Sequence, residues 1–588
     1  MAREHAAAVN TDASRTAVLP RNLRSVADAQ NVFVFAMEIS PRSADRLREL
    51  ITPIHIRKSL DARLDQIQTL HFASMTVFED QRLDPTLVLE ANFDGRPGPF
   101  WADLEAAIGP RLRGMLRFCK RPSGAAGDMF DVVTPPDSQA PIAPLLEAVA
   151  VRPTAVHQGN RGARRAQIEQ EAQLFGDVRR AMSNPQRFRG HSAQQIHQAL
   201  REEFIDRPSV TMPLRAWAWP RLADVGKLFL FVALVILLLN LPGMLLAWLI
   251  SPVWAAVIVF MLAIVALLWM LWPELTHLGA ATKTKWSFSL LRQAALVLLI
   301  LAVVEIVVVI IVAIVPIAFD ALTHPSLAVT TTVSILRTSF DQPKNFVAAL
   351  KSNPAVQQAF QQYILAVVRS GLPGVVGAVA TALFIVLRLR ALESQDPSQH
   401  RPDLDSRLER EMAFREDRGD QNHMSSLVHL RPGLLRSILM RAGLGGLGLA
   451  IRADPRAALH GYLVTVRTIH FAHLTLISNG SRLLFLSNFD NSWDNYLIDF
   501  IEKVHTWLTL AWTHGMGFPP TRFLVLDGAT HGRLFTIWQR RSMAPTLYWF
   551  RAYPTLSVEQ IRRQARIAAG LHKRTLKQKE AETWAMDL

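Results

Sequence analysis

Long apolar runs near the middle of the chain constrain its fold more than any other feature. A helix needs about 20 mostly apolar residues to cross the roughly 30 Å hydrocarbon layer of a bilayer. Four segments of the 588-residue chain meet this requirement, namely residues 225–250, 253–272, 290–319 and 363–389. The sequence therefore predicts an integral membrane protein with a transmembrane region over residues 211–390. Because only two residues separate the first two spans, a re-entrant pair is an open alternative.

Charge predicts how this region is oriented. Charged residues make up 19% of the chain and the net charge is +15, whereas soluble chains carry about 25% charged residues. Lysines and arginines flank the cytoplasmic ends of membrane helices, and here Arg221, Lys227, Lys283, Lys285 and Arg388 mark one side. An even number of spans then places both large soluble segments in the cytoplasm. We expect a membrane protein whose N- and C-terminal soluble domains are both cytoplasmic.

One acidic residue lies inside the third predicted span. A carboxylate at membrane depth indicates a functional site by default, so Glu305 is a candidate functional residue of a transporter or channel. The alternative is a glutamate that only helps the helices to pack.

The soluble segments on either side of this region share two sequence motifs. His-Phe-Ala occurs at residues 71–73 and 470–472, and Asn-Phe-Asp occurs at residues 92–94 and 488–490. Two tripeptides at nearly equal spacing indicate an internal duplication.

Apolar patterning predicts the same order of elements around both motif sets. The first set has strands at 31–39, 68–78, 86–92 and 115–119 and helices at 43–50 and 99–108. The second has strands at 425–430, 466–477, 482–487, 521–528 and 546–553 and helices at 434–444, 494–511 and 533–540. Strand–helix–strand–strand–helix–strand is the ferredoxin-like order. The predicted fold class is α+β, with two ferredoxin-like units (31–120 and 425–555) that form a pseudo-dimeric α/β sandwich or barrel, plus about four transmembrane helices.

The motifs at residues 469–472, 487–492 and 517–528 carry a family resemblance. The second unit resembles the dimeric α/β-barrel superfamily, which includes dye-decolorising peroxidases and chlorite dismutase. It is more similar to a group of bacterial proteins of unassigned function with HFARW-type and SNFDGS-type motifs. The resemblance covers residues 425–555, with a fainter echo over 31–120.

This resemblance implies a haem site in the second unit. His505 or His514 would be the iron ligand, and Asp490 and Arg522 would be the distal residues. The Gly-x-x-Asp-Gly signature of the peroxidases is absent from the chain.

The residues themselves suggest two roles for the paired histidines and aspartates. In the pairs His71–Asp94 and His470–Asp490, the carboxylate could orient the imidazole as a general base or a metal ligand. The structural alternative is a histidine that bonds across strands and an aspartate that caps the next helix. No motif for a metal site is present, and the single cysteine, Cys119, excludes an intramolecular disulfide.

The remaining segments are predicted to be tails and linkers between the domains. Residues 1–30 are predicted to be a disordered tail, 121–210 a linker, 391–424 a charged linker and 556–588 a helical tail. Within 121–210, residues 121–160 are predicted to be flexible. The basic helical pattern at 161–207 either lies on anionic lipid or is a solvated connecting helix. The pattern lacks the aromatic interleaving of nucleic-acid-binding segments.

Three functions are compatible with these features. One is a peroxidase-like oxidoreductase acting on an apolar or lipid-like substrate. The second is a non-catalytic protein that binds or scaffolds a protein partner or an apolar small molecule at the inner leaflet. The third is a transporter or channel that uses Glu305.

Overall fold

The computed structural model describes residues 30–79, 83–184, 186–211, 219–249, 372–396, 406–415, 419–454, 463 and 466–588. These residues form two compact units. The sheet unit contains the described residues up to Val225, those between Gln399 and Thr521, and those from Val525 onward. The helix unit contains those between Gly226 and Ser398 together with Arg522–Leu524. Predicted spans 253–272 and 290–319, Glu305 and residues 1–29 lie outside the described residues.

The described fold is α+β, and its sheets are antiparallel. The strands are β1 (Gln30–Glu38), β2 (Leu70–Phe78), β3 (Thr86–Asp94), β4 (Ala150–Val151), β5 (Ala155–Gln158), β6 (Gln421–His429), β7 (Ile469–Ile477), β8 (Arg482–Asp490), β9 (Thr521–Arg522), β10 (Leu526–Asp527) and β11 (Thr546–Arg551). The first sheet has the order β11-β2-β3-β1-β4, and the second has the order β5-β7-β8-β6.

Helices connect these strands and continue beyond them. They are α1 (Ala44–Ile51), α2 (Ile54–Leu64), α3 (Pro97–Leu116), α4 (Ala125–Val133), α5 (Ala143–Val149), α6 (Arg165–Met182), α7 (Ala193–Phe204), α8 (Pro208–Thr211), α9 (Trp219–Leu249), α10 (Leu372–Gln395), α11 (Ser406–Arg415), α12 (Leu434–Ala453), α13 (Trp493–Trp512), α14 (Gly532–Ser542), α15 (Val558–His572) and α16 (Gln578–Ala585). We call residues 30–158 the first half and residues 421–551 the second half.

Each sheet contains one strand from the other half. Strand β11 of the second half pairs with β2, with Phe550 opposite Ala73. Strand β5 of the first half pairs with β7, with His157 opposite Ala472. This exchange joins residues that are hundreds of positions apart in the chain.

The two sheets pack face to face. Every residue of β2, β3 and β8 is buried, which requires cover on both faces because side chains alternate along a strand. Val34 and Val88 of the first sheet share a buried cluster with Leu484 and Leu486 of the second. The opposite face of each sheet packs on helices, with Phe100 in the first helix-side core and Tyr496 in the second.

Three local predictions are wrong. Residues 121–160 are not a flexible linker, because they form α4, α5, β4 and β5 and bury Phe130 and Leu145 in the first core. Residues 115–119 are not a strand, because α3 continues to Leu116. Residues 521–528 are not one continuous strand, because Phe523 and Leu524 have positive φ angles of 53° and 64°, which interrupt an extended backbone.

The basic helical segment 161–207 packs on the C-terminal helices. Leu174 of α6 and Leu200 of α7 are buried with Leu571 of α15 and Trp584 of α16. Their apolar faces are therefore covered within the protein, as in a connecting helix. Lipid contact at this segment would have to use its exposed arginines.

Three described helices are long and apolar enough to cross a membrane, namely Leu222–Leu246, Pro373–Gln395 and Leu434–Ala453. The first two coincide with the first and fourth predicted spans. In the helix unit they approach closely, since a Cβ on Gly243 would lie 2.1 Å from the Pro373 carbonyl oxygen. The third, α12, packs on β5, because a Cβ on Gly448 would lie 2.6 Å from the Thr154 carbonyl oxygen. One face of α12 buries Met440 and Leu444, whereas Leu434 and Ile438 remain exposed.

Candidate functional site

Both predicted His–Asp pairs are formed in the sheet unit. His71 Nε2 lies 2.9 Å from Asp94 Oδ1, and His470 Nε2 lies 2.8 Å from Asp490 Oδ1. All four side chains are buried.

The second carboxylate oxygen of each aspartate binds a helix N-terminus. Asp94 Oδ2 accepts the Arg165 backbone N–H at 2.7 Å, at the start of α6. Asp490 Oδ2 accepts the Val558 N–H at 2.8 Å, at the start of α15. An anion at this position satisfies an otherwise unpaired donor and complements the helix dipole. The aspartates therefore cap helices as expected, but these are later helices rather than the next one in the chain.

Two glutamines that the sequence analysis missed strengthen these anchors. Gln30 donates its amide to two backbone carbonyls just before α6. Gln421 does the same to two carbonyls just before α15. Both glutamines could have been identified from the sequence, because the dipeptide Gln-Asn begins both β1 and β6.

The surroundings of the two histidines leave little room for a substrate. His71 Nδ1 lies 2.8 Å from the Tyr553 hydroxyl, and His470 Nε2 lies 3.3 Å from Gln421 Nε2. Burial, followed by the negative charge of Asp94, raises the pKa of Tyr553 well above its usual value, so its hydroxyl stays protonated. His71 and His470 are 0% and 1% exposed. This geometry favours a structural role for both pairs.

A buried carboxylate that the sequence analysis also missed connects the two sheets. Glu90 of β3 is 0% exposed. It binds His423 Nε2 at 3.1 Å and His473 Nε2 at 3.2 Å, both from the second sheet. Ser74, Asn92 and Asn488 also donate hydrogen bonds to it. The sequence offered one indication, a glutamate in the middle of the strand Thr86–Asp94 directly after the apolar run Leu87–Leu89.

Hydrogen bonds keep Glu90 ionised in this dry environment. Burial by itself raises the pKa of the carboxyl, but the hydrogen bonds and positive charge of His423 and His473 outweigh burial and lower the pKa well below its ordinary value of 4.5. The second half has no equivalent charge, because Leu486 holds the matching position four residues before its aspartate. Glu90 is therefore a buried ionic crosslink present in one half only.

A cavity of about 150 Å³ lies between the second sheet and helices α12 and α13. Its lining is mostly apolar and comes from Ala155, His157, Leu447, Ala450, Ile451, Asp454, Leu463, Ala472, His473, Leu474, Phe485, Phe500, Val504, Trp507, Leu508, Ala511 and Trp512. The imidazole of His473 binds Glu90 in the sheet interface. Trp507 is 47% exposed and marks an open side.

The corresponding space in the first half is filled. There the void is only about 10 Å³ and is lined by residues such as Leu89, Leu104 and Met115. Met115 follows Asp94 by as many residues as Ala511 follows Asp490. Tyr548, opposite Met75, corresponds to Ala155, opposite Leu474. Around the cavity, the second half therefore has Ala511 and Ala155 where the first half has the larger Met115 and Tyr548.

None of the residues expected to form a haem site lines this cavity. His505 and His514 are both absent from the cavity lining. Burial, and then the positive charges of Arg436 and Arg431, lower the pKa of His514 to about 4. Among the described residues, no group of three or more His, Cys, Asp or Glu could hold a metal ion.

Comparison with family models, with curated proteins and with solved structures yields no match for this chain. The peroxidase-like resemblance of residues 469–472, 487–492 and 517–528 therefore stays a prediction. Because one fold hosts many activities, function has to be argued from the site itself.

Proposed function

We propose that this protein is a membrane-anchored binding protein whose second half holds an apolar ligand. The unequal packing of the two halves carries the proposal. Natural cores are close-packed, and apolar surface that is left in contact with water forgoes roughly 25 cal/mol per Å² of stabilisation. The first half avoids this cost, whereas the second half retains about 150 Å³ of apolar space. A ligand that fills the space explains why it is kept.

The dimensions of the cavity restrict the ligand. A cavity of about 150 Å³ lined by aliphatic and aromatic side chains binds molecules the size of benzene, whereas drug-sized ligands need roughly 300–1,000 Å³. The ligand is therefore a small apolar molecule or one end of a larger, lipid-like one. Trp507 at the open side allows such a molecule to extend outward.

A membrane location supports this proposal because lipid-like molecules concentrate there. The apolar helices Leu222–Leu246 and Pro373–Gln395 would anchor the chain. We propose a bacterial inner membrane with both soluble segments in the cytoplasm, which the flanking lysines and arginines support.

We also propose that the two halves are duplicated ferredoxin-like units that exchange one strand each. The first-sheet order β2-β3-β1-β4 is that of a ferredoxin-like sheet, with β11 added at its edge. The stacked pair Phe93–Phe100 recurs as Phe489–Tyr496, with both ring-centroid distances at 3.9 Å. Such a repeated framework supports common ancestry of the halves.

Binding is favoured over the oxidoreductase hypothesis because the best catalytic candidates already have structural partners. His71, Asp94, His470 and Asp490 anchor α6 and α15. The transporter hypothesis depends on Glu305 and stays a prediction.

Filling the cavity tests the proposal. We would reconstitute the full chain in nanodiscs and titrate 4-fluorotoluene, following its ¹⁹F NMR signal against empty nanodiscs. Ala511→Met introduces the side chain that the first half has at this position. We expect wild type to bind the probe and Ala511→Met to bind it at least tenfold more weakly.

Two further variants act as controls. Ala450→Met fills the same cavity from α12 and should also weaken binding. Ala442→Met lies on α12 outside the cavity lining and should bind as wild type does. Wild type that does not bind the probe, or Ala511→Met that folds and binds equally well, would overturn the proposal.

A further inference from the structure

We infer that the outward face of helix α12 lies in the plane of the membrane surface, against anionic lipid headgroups and the upper part of their acyl chains. The other side of α12 packs on the second sheet, so this helix contacts the bilayer without crossing it. This inference goes beyond the ligand proposed for the cavity. It rests on the proposed function only for the membrane anchor.

The outward face of α12 is apolar along the length of the helix. Leu434, Ile438, Ala442, Gly445 and Leu449 recur every three or four residues, which places them on one side of a helix. Leu434 is 79% exposed and Ile438 is 54% exposed. The opposite side holds the buried residues Arg436, Met440, Leu444 and Gly448. Exposed apolar surface of this kind marks a site of contact with another molecule or a membrane.

The charges of α12 favour an anionic partner. Its charged residues are Arg436, Arg441 and Arg452, and the helix contains no Asp or Glu. Arg441 and Arg452 are exposed, and helical spacing from Leu434 places both along one edge of the apolar face. An apolar face bordered by arginines is typical of helices that lie in the membrane interface, where the cations attract anionic headgroups.

The equivalent helices of the first half have a different surface. Helices α1 and α2 connect β1 to β2, as α12 connects β6 to β7. Their exposed residues include Asp45, Glu49 and Lys58, a mixture of charges that suits a helix surface in water. The shared framework therefore does not require an apolar outward face, and the second half has acquired one at α12.

The location of α12 identifies lipid as the partner. Arg161 Nη2 binds Asp224 Oδ2 at 2.6 Å, in the part of α9 that belongs to the sheet unit. The same guanidinium donates from Nη1 to the Arg452 carbonyl oxygen at 3.0 Å, in the last turn of α12. The membrane-length stretch Leu222–Leu246 of α9 begins here. One end of α12 is therefore held where α9 enters the bilayer, while Leu434 exposes apolar surface at the other end.

Quenchers carried by lipid test the inference on the full chain in nanodiscs. Leu434→Cys and Ile438→Cys are labelled with bimane, and the lipid carries a doxyl group near the top of its acyl chain. Glu49→Cys on α1 is the matched control from the first half, and Leu230→Cys on α9 is the positive control. We expect doxyl lipid to quench the α12 labels at least about twofold more than the Glu49→Cys label.

Two further conditions define the background and the lipid preference. The native Cys119 is buried, and burial raises the pKa of its thiol to about 12. Because such a thiol reacts slowly, wild type taken through the same labelling measures the background. Quenching of the α12 labels should be stronger in phosphatidylglycerol than in phosphatidylcholine, since the arginines attract anionic headgroups.

Iodide, a quencher that stays in water, separates the outcomes. Labels on α12 that iodide quenches and doxyl lipid does not would show a face open to water. Labels that neither quencher reaches would show a face covered by another part of this chain or by a second copy. Both results overturn the inference, and equal quenching in the two lipids overturns the preference for anionic headgroups. An unquenched Leu230→Cys label means that the membrane anchor has failed, whereas loss of 4-fluorotoluene binding alone refutes only the cavity ligand.

Discussion

The two halves of the sheet unit share a framework but use its interior differently. In both, an aspartate at the end of the third strand binds a histidine and a helix N-terminus. In the first half, the space between sheet and helices is filled by residues such as Met115, whereas in the second half Ala511 leaves a cavity. The polar anchors hold the backbone in place in both halves, so side-chain volume can be removed in one half without changing the fold.

The two halves also differ where the sheets pack on each other, and there the first half is the one with the unusual residue. Here the first half carries the polar group, Glu90, while the second half has Leu486. Glu90 receives hydrogen bonds from His423 and His473 across the interface. An ionic group at one defined position favours one alignment of the sheets over shifted ones. The halves thus differ in two ways: the first contributes the buried carboxylate at the interface, and the second contains the cavity.

The largest effect is expected from making the interface apolar in both halves. Glu90→Leu copies the second half and leaves five buried donors without their acceptor. We expect it to lower the free energy of unfolding by about 3–5 kcal/mol, measured by urea titration with pulse proteolysis of the full chain. The volume-conserving control Leu486→Met should cost less than about 1.5 kcal/mol. A loss below about 1 kcal/mol for Glu90→Leu would show that the cluster does not hold the sheets together.

Exchanging the cavity residues between the halves should give unequal results. Met115→Ala opens a void in a filled core and should destabilise the protein by about 2–5 kcal/mol. Ala511→Met fills existing space and should change stability by less than about 1 kcal/mol. The same urea titration measures both. Equal losses would mean that the second-half cavity cannot accept a larger side chain and that the two interiors are packed alike.

The two aspartate anchors should be equivalent. Asp94→Asn and Asp490→Asn each replace a carboxylate oxygen that accepts a helix N–H or an imidazole hydrogen bond. We expect each to cost about 1–3 kcal/mol, and the two losses to agree within about 0.5 kcal/mol. A much larger loss for one would reveal that its half depends on the anchor for more than the shared framework. Thermal unfolding of both variants under one condition provides the comparison.

The smallest effect is a pH dependence that belongs to the first half alone. Because the pKa of Glu90 is lower in the folded state than its ordinary 4.5, its contribution is complete above about pH 4.5 and is lost as the pH falls below that value. Glu90→Gln should therefore flatten the decline in unfolding temperature between about pH 5 and pH 3. The exposed control Glu147→Gln should retain the wild-type slope. An unchanged slope in Glu90→Gln would assign the acid sensitivity to other carboxyl groups.

Local patterns in the sequence predicted a large part of this architecture. The strands at 31–39 and 482–487 and the helix at 494–511 match β1, β8 and α13 closely, because alternation and helical periodicity are local properties. The repeated His-Phe-Ala and Asn-Phe-Asp motifs located both buried His–Asp pairs. The prediction of a linker at 121–160 was wrong because its composition masked apolar residues that β1 and α3 bury.

What the sequence by itself determined is the presence of apolar helices long enough to cross a membrane, the antiparallel α+β class and the residues of the two anchors. Tertiary structure alone decided which strand crosses to which sheet, which helix each aspartate caps, and that Glu90 meets His423 and His473. These contacts join residues up to hundreds of positions apart, and no periodicity encodes such a partner. The cavity is of the same kind, because Ala511 reads as an ordinary helix residue until the packing of Ala155 and Trp512 around it reveals the space.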